Sequence, residues 1–232
     1  MNNPGENILK WRFDVSTFRL IGHELITDRI TALFELVKNC YDANSTRVDI
    51  IFENVSFINP NSKITIKDNG YGMKFEDIRD KWMVIGTSSK RKEPYSPEPF
   101  KRRCVGEKGI GRFAVDKLGY KVNIITKTRG ASHKLNVEID WNKYETSFQR
   151  PEEQNEHVLF FTDIENKCQY EAANKDEQGT TLSISGIREG WTVKDIDRLY
   201  KELTKLVSPF YPLKQPFDIY ISSNEYNHLW KN

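Results

Sequence analysis

The chain has 232 residues, a formal net charge of +2 at pH 7 and 38% hydrophobic residues. This composition argues against disorder, and the near-neutral charge favours no particular charged partner. Three cysteines and four histidines lie scattered without CxxC or HExxH spacing, which argues against a disulfide framework and a protein-bound zinc. Because no apolar run approaches 18 residues and no signal peptide is visible, we expect a cytoplasmic protein without membrane contact.

The first strong pattern is DRITALFELVKNCYDAN, residues 28–44, which predicts one helix with two different faces. At about 100° per residue, an arc of roughly 120° holds an apolar stripe, namely Ile30, Leu33, Phe34, Val37 and Tyr41. Glu35, Asn39 and Asp42 share an arc of roughly 60° on the other side. Two carboxylates and a carboxamide therefore project in one direction.

Short elements flank this helix. Residues 17–27 favour a short helix that leads into it, and Thr27 or Asp28 is its expected N-terminal cap. Downstream, RVDIIFE (47–53) and KITIKD (63–68) alternate apolar and polar residues, which predicts two paired strands.

Two glycine-rich stretches follow. In DNGYGM (68–73), Asn-Gly favours a tight turn, although the spaced glycines also allow a ligand to approach the backbone. GEKGIGRFA (106–114) precedes a predicted helix over 112–118, and backbone N–H groups at such a junction form an anion site. This second pattern fits neither a Rossmann fingerprint nor a P-loop. Between them, the basic, proline-containing segment 91–103 is either a solvated loop or a lid over phosphates.

The remaining chain predicts mainly sheet. We expect a short helix over 75–83 and strands over 120–128, 133–140, 157–164, 180–185 and 217–222. Segments 142–156 and 165–178 are expected surface loops. An amphipathic helix over 191–208 is expected to begin after Thr192.

Four segments in this order resemble the GHKL ATPase superfamily, which includes gyrase B subunits, ninety-kilodalton heat-shock chaperones, sensor histidine kinases and MutL-type proteins. They are ELVKNCYDA (35–43), DNGYGM (68–73), GEKGIGRFA (106–114) and GTTL (179–182). TSSK (87–90) is similar to a segment of the MutL branch. The resemblance implies an α+β Bergerat fold, a two-layer sandwich in which helices cover one face of a mixed, mostly antiparallel sheet and ATP binds on the helical side.

The resemblance also implies roles for single residues. Asn39 is the expected ligand of Mg²⁺, and Glu35 is the expected general base. Asp68, supported by Thr180, is expected to accept a hydrogen bond from the adenine amino group. The other residues expected to bind nucleotide are Asp42, Gly70, Gly72, Met73, Thr87, Ser88, Lys90, Lys108, Gly109, Ile110, Gly111, Arg112 and Phe113.

Three functions stay open at this point. The first is an ATP hydrolase whose nucleotide cycle drives lid closure and homodimerisation; the others are a sensor-kinase catalytic domain and a non-hydrolysing nucleotide-binding scaffold. The ELVKNCYDA helix and the elements beyond GTTL favour the hydrolase. We expect an N-terminal segment (1–15), an ATP-binding domain (16–190) and a C-terminal helix and strand (191–232). A following domain is expected to supply a γ-phosphate contact, and a nucleic acid or protein client is conceivable.

Overall fold

The computed structural model describes residues 13–15, 17, 26–85, 94–106, 111, 113–144, 160–206, 217–226 and 229–231. The strands among them are β1 (Arg47–Glu53), β2 (Lys63–Asp68), β3 (Gly119–Lys127), β4 (His133–Asp140), β5 (Lys167–Ala172), β6 (Gly179–Ile187), β7 (Asp218–Ser223) and β8 (Leu229–Lys231). They form one sheet in the order β5-β4-β3-β6-β2-β1-β7-β8. All of these pairings are antiparallel except that of β1 with β7, so the predicted mixed, mostly antiparallel sheet is confirmed.

Three longer helices accompany the sheet, namely α1 (Arg29–Asp42), α2 (Phe113–Leu118) and α3 (Val193–Leu203). Asp28 is the cap of α1, because its Oδ1 accepts hydrogen bonds from the backbone N–H groups of Ile30 at 2.8 Å and Thr31 at 3.0 Å. Thr192 caps α3 as predicted and exchanges hydrogen bonds with Asp195. Both helices therefore begin where their sequences predict.

One face of the sheet is buried against the helices. Val48, Ile50 and Phe52 alternate along β1 and are each fully buried, and the intervening residues are only partly covered or exposed. In the helical layer, α1 packs against both α2 and α3. The predicted two-layer α+β sandwich is confirmed, and α3 and β7 extend its two layers.

The buried side of α1 differs from the predicted stripe. Leu36 and Cys40 are buried, whereas Phe34 and Tyr41 are only partly buried. With Ala32, which is also buried, the apolar buried arc is rotated by roughly 70° from the predicted one. The positions of apolar residues alone do not show from which side neighbouring elements pack against a helix, and here α2 packs against α1.

Two predictions in the second half are wrong. β5 lies in the segment 165–178, which we expected to be a loop, and Phe161–Asp163 forms a single helical turn where we expected a strand. β5 pairs through its backbone with β4 at one edge of the sheet, and its sequence KCQYEA alternates polar and apolar residues, a signal that the loop prediction overlooked. The predicted helix over 17–27 lies largely outside the described residues. Within the described chain, every helix is too short or too polar to span a membrane.

Candidate functional site

Three polar side chains lie side by side across the sheet. Asp68 on β2 is in register with Thr180 on β6, and Thr180 is in register with Thr126 on β3. Residues paired in this way project from the same face, and this is the helical face because Val48, the partner of Asp68 on β1, is buried there. The Thr126 and Thr180 hydroxyl oxygens are 2.9 Å apart, and Thr126 also accepts a hydrogen bond from the Met73 N–H at 2.9 Å. The structure thus brings together Asp68, Met73 and Thr180, which we predicted at the base.

The Asp68 carboxyl lies in an environment that disfavours its charge. Burial raises the pKa of Asp68 to about 6, and hydrogen bonds from the Gly70 N–H, the Cys40 thiol and the Thr180 N–H oppose that rise. The Gly70 nitrogen is 2.7 Å from Asp68 Oδ1. Burial, together with the nearby Asp68 charge, raises the pKa of the Cys40 thiol. Because the surroundings are poorly hydrated, a ligand that donates a hydrogen bond to Asp68 is held more strongly than at an exposed carboxylate.

The glycines of DNGYGM are required by chain packing. A Cβ on Gly70 would lie 2.5 Å from the carbonyl oxygen of Ala43, at the end of α1. A Cβ on Gly72, whose φ is +68°, would lie 2.0 Å from the carbonyl oxygen of Lys127. These missing side chains therefore let the turn approach α1 and β3, and ligand access is not needed to explain them. The predicted nucleotide contacts of Gly70 and Gly72 stay predictions.

The polar face of α1 meets the second glycine-rich stretch. A Cβ on Gly111 would lie 3.1 Å from Nδ2 of Asn39, so the chain at Gly111 rests directly against this carboxamide. One turn earlier on the helix, Oε1 of Glu35 accepts a hydrogen bond from Nζ of Lys38 at 2.8 Å. We did not predict Lys38 as part of the site, although its i, i+3 spacing from Glu35 is a recognisable signal. The Phe113 side chain is fully buried, and the predicted nucleotide contact of Phe113 stays a prediction.

Asp42 fixes the chain that leads into the GEKGIGRFA stretch. Its carboxylate is buried and accepts hydrogen bonds from the N–H groups of Val105 at 2.8 Å and Gly106 at 3.1 Å. The two carboxylate oxygens thus bind two successive backbone amides. These contacts give Asp42 a structural task, while the predicted contribution of Asp42 to nucleotide binding stays a prediction.

Residues 94–106 pack onto the C-terminal end of α1. Arg102 in this segment is 7% exposed, and its Nη1 donates a hydrogen bond to the carbonyl oxygen of Ser45 at 2.6 Å. Its guanidinium lies 4.7 Å from the ring centre of Tyr41 and 5.6 Å from that of Phe217. Burial lowers the pKa of Arg102. The prediction of a solvated loop is therefore wrong for Arg102, which anchors the segment, and the predicted lid stays a prediction.

Seven predicted site residues lie outside the described part of the chain: Thr87, Ser88, Lys90, Lys108, Gly109, Ile110 and Arg112. Within that part, no three His, Cys, Asp or Glu side chains are grouped as a metal site. Mg²⁺ keeps several waters and is usually held by one or two protein oxygens together with substrate phosphates. The carboxamide oxygen of Asn39, beside Gly111, fits that sparse donor set.

A two-layer sandwich with these motifs on its helical side defines a class of nucleotide-binding ATPase domains. The profile of the family described as "Histidine kinase-, DNA gyrase B-, and HSP90-like ATPase" matches residues 27–180. The chain belongs to this family, and the GHKL resemblance is confirmed.

Three relatives show how far the similarity extends. Chaperone protein HtpG of Buchnera aphidicola subsp. Baizongia pistaciae is 28% identical over 181 residues, which cover 71% of this chain and 26% of the relative. The DNA mismatch repair protein MutL of Listeria monocytogenes serovar 1/2a is 32% identical over 80 residues, covering 34% and 13%. The putative type II restriction enzyme HgiDII of Herpetosiphon aurantiacus is 27% identical over 121 residues, covering 52% and 18%. The chain therefore spans about a quarter or less of the length of each of these relatives.

Proposed function

We propose that this domain binds ATP with Mg²⁺ on its helical side and that the full-length protein hydrolyses the bound ATP. The observation that carries the proposal is the contact of Gly111 with Asn39. It joins a glycine-rich stretch, suited to phosphates, to a helix face that holds a metal-ligand candidate and a carboxylate. On the same face of the sandwich, the Asp68 row offers a partly buried acceptor for the base. Family membership supports the same reading.

In this proposal each side chain has one task. Asp68 accepts a hydrogen bond from the adenine amino group, and Thr180 supports that contact. Asn39 holds the Mg²⁺, which when bound neutralises charge on the phosphates. Glu35 orients a water molecule and takes its proton as the water oxygen attacks the γ-phosphorus and the bond to ADP breaks. Before that step Lys38 holds the Glu35 carboxylate in place.

We further propose that ATP binding closes the basic lid predicted from the sequence over the phosphates and favours a homodimer of the longer protein. Membership of the family described as histidine kinase-, DNA gyrase B- and HSP90-like ATPases supports a role for ATP in this proposal. One observation favours a second candidate, ATP binding without turnover: the Glu35 carboxylate is already paired with Lys38. A sensor-kinase activity is the third alternative, and it would transfer the γ-phosphoryl group to a histidine instead of water.

The deciding experiment compares Glu35→Gln and Asn39→Ala in the full-length protein, with ATP turnover and ATP affinity measured for each. Glu35→Gln should lower turnover by about 10²- to 10⁴-fold, with an ATP affinity close to that of the wild type. Asn39→Ala should weaken Mg²⁺-dependent ATP binding as well as turnover.

Glu202→Gln is a matched control, because Glu202 forms an i, i+3 ion pair with Lys205 at 2.6 Å in α3 and the turn after it. This variant should behave as the wild type does. Equal turnover with and without the Glu35 carboxylate would exclude Glu35 as the general base, whereas wild-type protein that binds ATP without turnover would favour the non-hydrolysing candidate.

A further inference from the structure

Thr126 is a buried hydroxyl in the centre of the proposed base site that the sequence analysis did not identify. It is 1% exposed and lies on β3, directly opposite Thr180. Its oxygen accepts the N–H of Met73, from the DNGYGM turn, and lies 2.9 Å from the hydroxyl oxygen of Thr180. Thr126 therefore joins the two segments that would enclose a base.

The hydrogen bonds of Thr126 limit the direction of the Thr180 hydroxyl. A threonine hydroxyl has one proton to donate and two lone pairs to accept. The Met73 N–H uses one lone pair of Thr126, and the Thr126 proton has two acceptors within reach: the Thr180 hydroxyl at 2.9 Å and the Gly179 carbonyl at 3.4 Å. Either hydroxyl can donate across the 2.9 Å contact, and the arrangement in which Thr126 donates to Thr180 uses the shorter of the two distances open to the Thr126 proton. When Thr126 donates to Thr180, the Thr180 proton must point away from Thr126.

We propose that Thr126 is a specificity-determining positioning residue, which makes Thr180 a hydrogen-bond donor beside the acceptor Asp68. This inference rests on the proposed function. Adenine has an amino donor next to the N1 acceptor, and the Asp68–Thr180 pair matches that order. Guanine has the carbonyl O6 and an N1–H at these positions, so its donor and acceptor are reversed. Both side chains are partly buried, and a polar pair of this kind rejects a base that leaves its groups unpaired.

The alternative explanation is that Thr126 only packs between β3 and the turn. Packing would affect all nucleotides equally, since their sugar and phosphates are identical. A positioning role changes the preference between bases. The ratio of ATP affinity to GTP affinity therefore separates the two explanations, whatever the change in overall stability.

The experiment compares Thr126→Val, which keeps the shape and removes the hydroxyl, with Thr126→Ser, which keeps the hydroxyl. Calorimetry with ATP and with GTP should show that Thr126→Val loses at least about tenfold of the ATP preference, and that Thr126→Ser retains it. Thr181→Val is the matched control, because Thr181 follows Thr180 on β6 and projects from the opposite face of the sheet. The control should keep the wild-type ratio.

The outcomes distinguish this inference from the proposed function. A folded Thr126→Val variant with the wild-type ratio overturns the inference and leaves ATP binding intact as a proposal. If the wild-type protein binds neither ATP nor GTP, both this inference and the proposed function are wrong. Should Thr126→Val fail to fold, wild type is tested with 1-deaza-ATP, which lacks the N1 acceptor. A loss of about tenfold relative to ATP supports the donor assignment of Thr180, and equal affinity overturns it.

Discussion

The ionised Asp68 carboxylate should lower the free energy of unfolding of the ligand-free protein at neutral pH. The pKa of this group rises from 3.8 to about 6 on folding. Between these values the folded state retains a proton that the unfolded state has released, so the free energy of unfolding decreases as the pH rises through this window. At about 1.4 kcal/mol per pKa unit, the full penalty is about 3 kcal/mol above pH 6 and vanishes below pH 4.

Asp68→Asn removes the charge and keeps an oxygen that can accept the hydrogen bond from the Gly70 N–H, now 2.7 Å from Asp68 Oδ1. Relative to wild type, the variant should therefore gain up to about 3 kcal/mol of stability between pH 4 and pH 7.5. The same substitution should weaken ATP binding by roughly 10- to 150-fold, because the charged acceptor for the adenine amino group is lost. A gain in stability together with a loss in affinity is the signature of a group retained for binding.

Urea unfolding of both proteins at intervals between pH 4.5 and pH 8 measures the stability difference, and calorimetry with ATP at pH 7.5 measures affinity. Asp176→Asn, at an exposed position between β5 and β6, is the control for removing a carboxylate. A stability difference that does not change with pH would refute the reasoning about Asp68. An unchanged ATP affinity in the folded variant would refute the adenine contact.

Three further predictions follow from the same structure. Gly179→Ala should destabilise the protein by about 2–3 kcal/mol in urea unfolding, because φ is +121° and the new Cβ would lie 2.1 Å from the Asp68 carbonyl oxygen. The control Gly130→Ala should cost only about 1 kcal/mol, because its φ is +79° and the new Cβ would enter open space. Equal costs for the two variants would contradict this prediction. Arg102→Ala should lower the stability of the protein by about 2–3 kcal/mol and should hasten tryptic cleavage after the exposed Arg103. A cleavage rate equal to that of wild type would show that Arg102 does not anchor this segment. ATP affinity should fall as the pH drops below 6 and Asp68 takes up its proton, whereas calorimetry showing constant affinity from pH 5 to pH 8 would argue against an ionised Asp68 as the acceptor.

The elements that the sequence predicted well are those with strong local signals. The apolar alternation of RVDIIFE and KITIKD predicts β1 and β2 with their observed bounds, because one face of each strand is buried along its whole length. The cap at Asp28 is equally local, since the carboxylate bonds to N–H groups two and three residues ahead. DNGYGM and GTTL also contain Met73 and Thr180, two predicted residues that the structure brings to the Asp68 row.

Other features depend on contacts between residues far apart in the chain, which no local pattern records. β5 pairs with the edge of β4, and although KCQYEA alternates polar and apolar residues, none of its residues is buried. Arg102 has the charge of a solvated lid residue, yet the end of α1 supplies a carbonyl oxygen and aromatic rings that accept it in a buried position. Thr126 acquires its place beside Thr180 only through the register of β3 and β6. The sequence by itself determined which chemical groups the site contains, and the pairing of distant strands decided which of them touch.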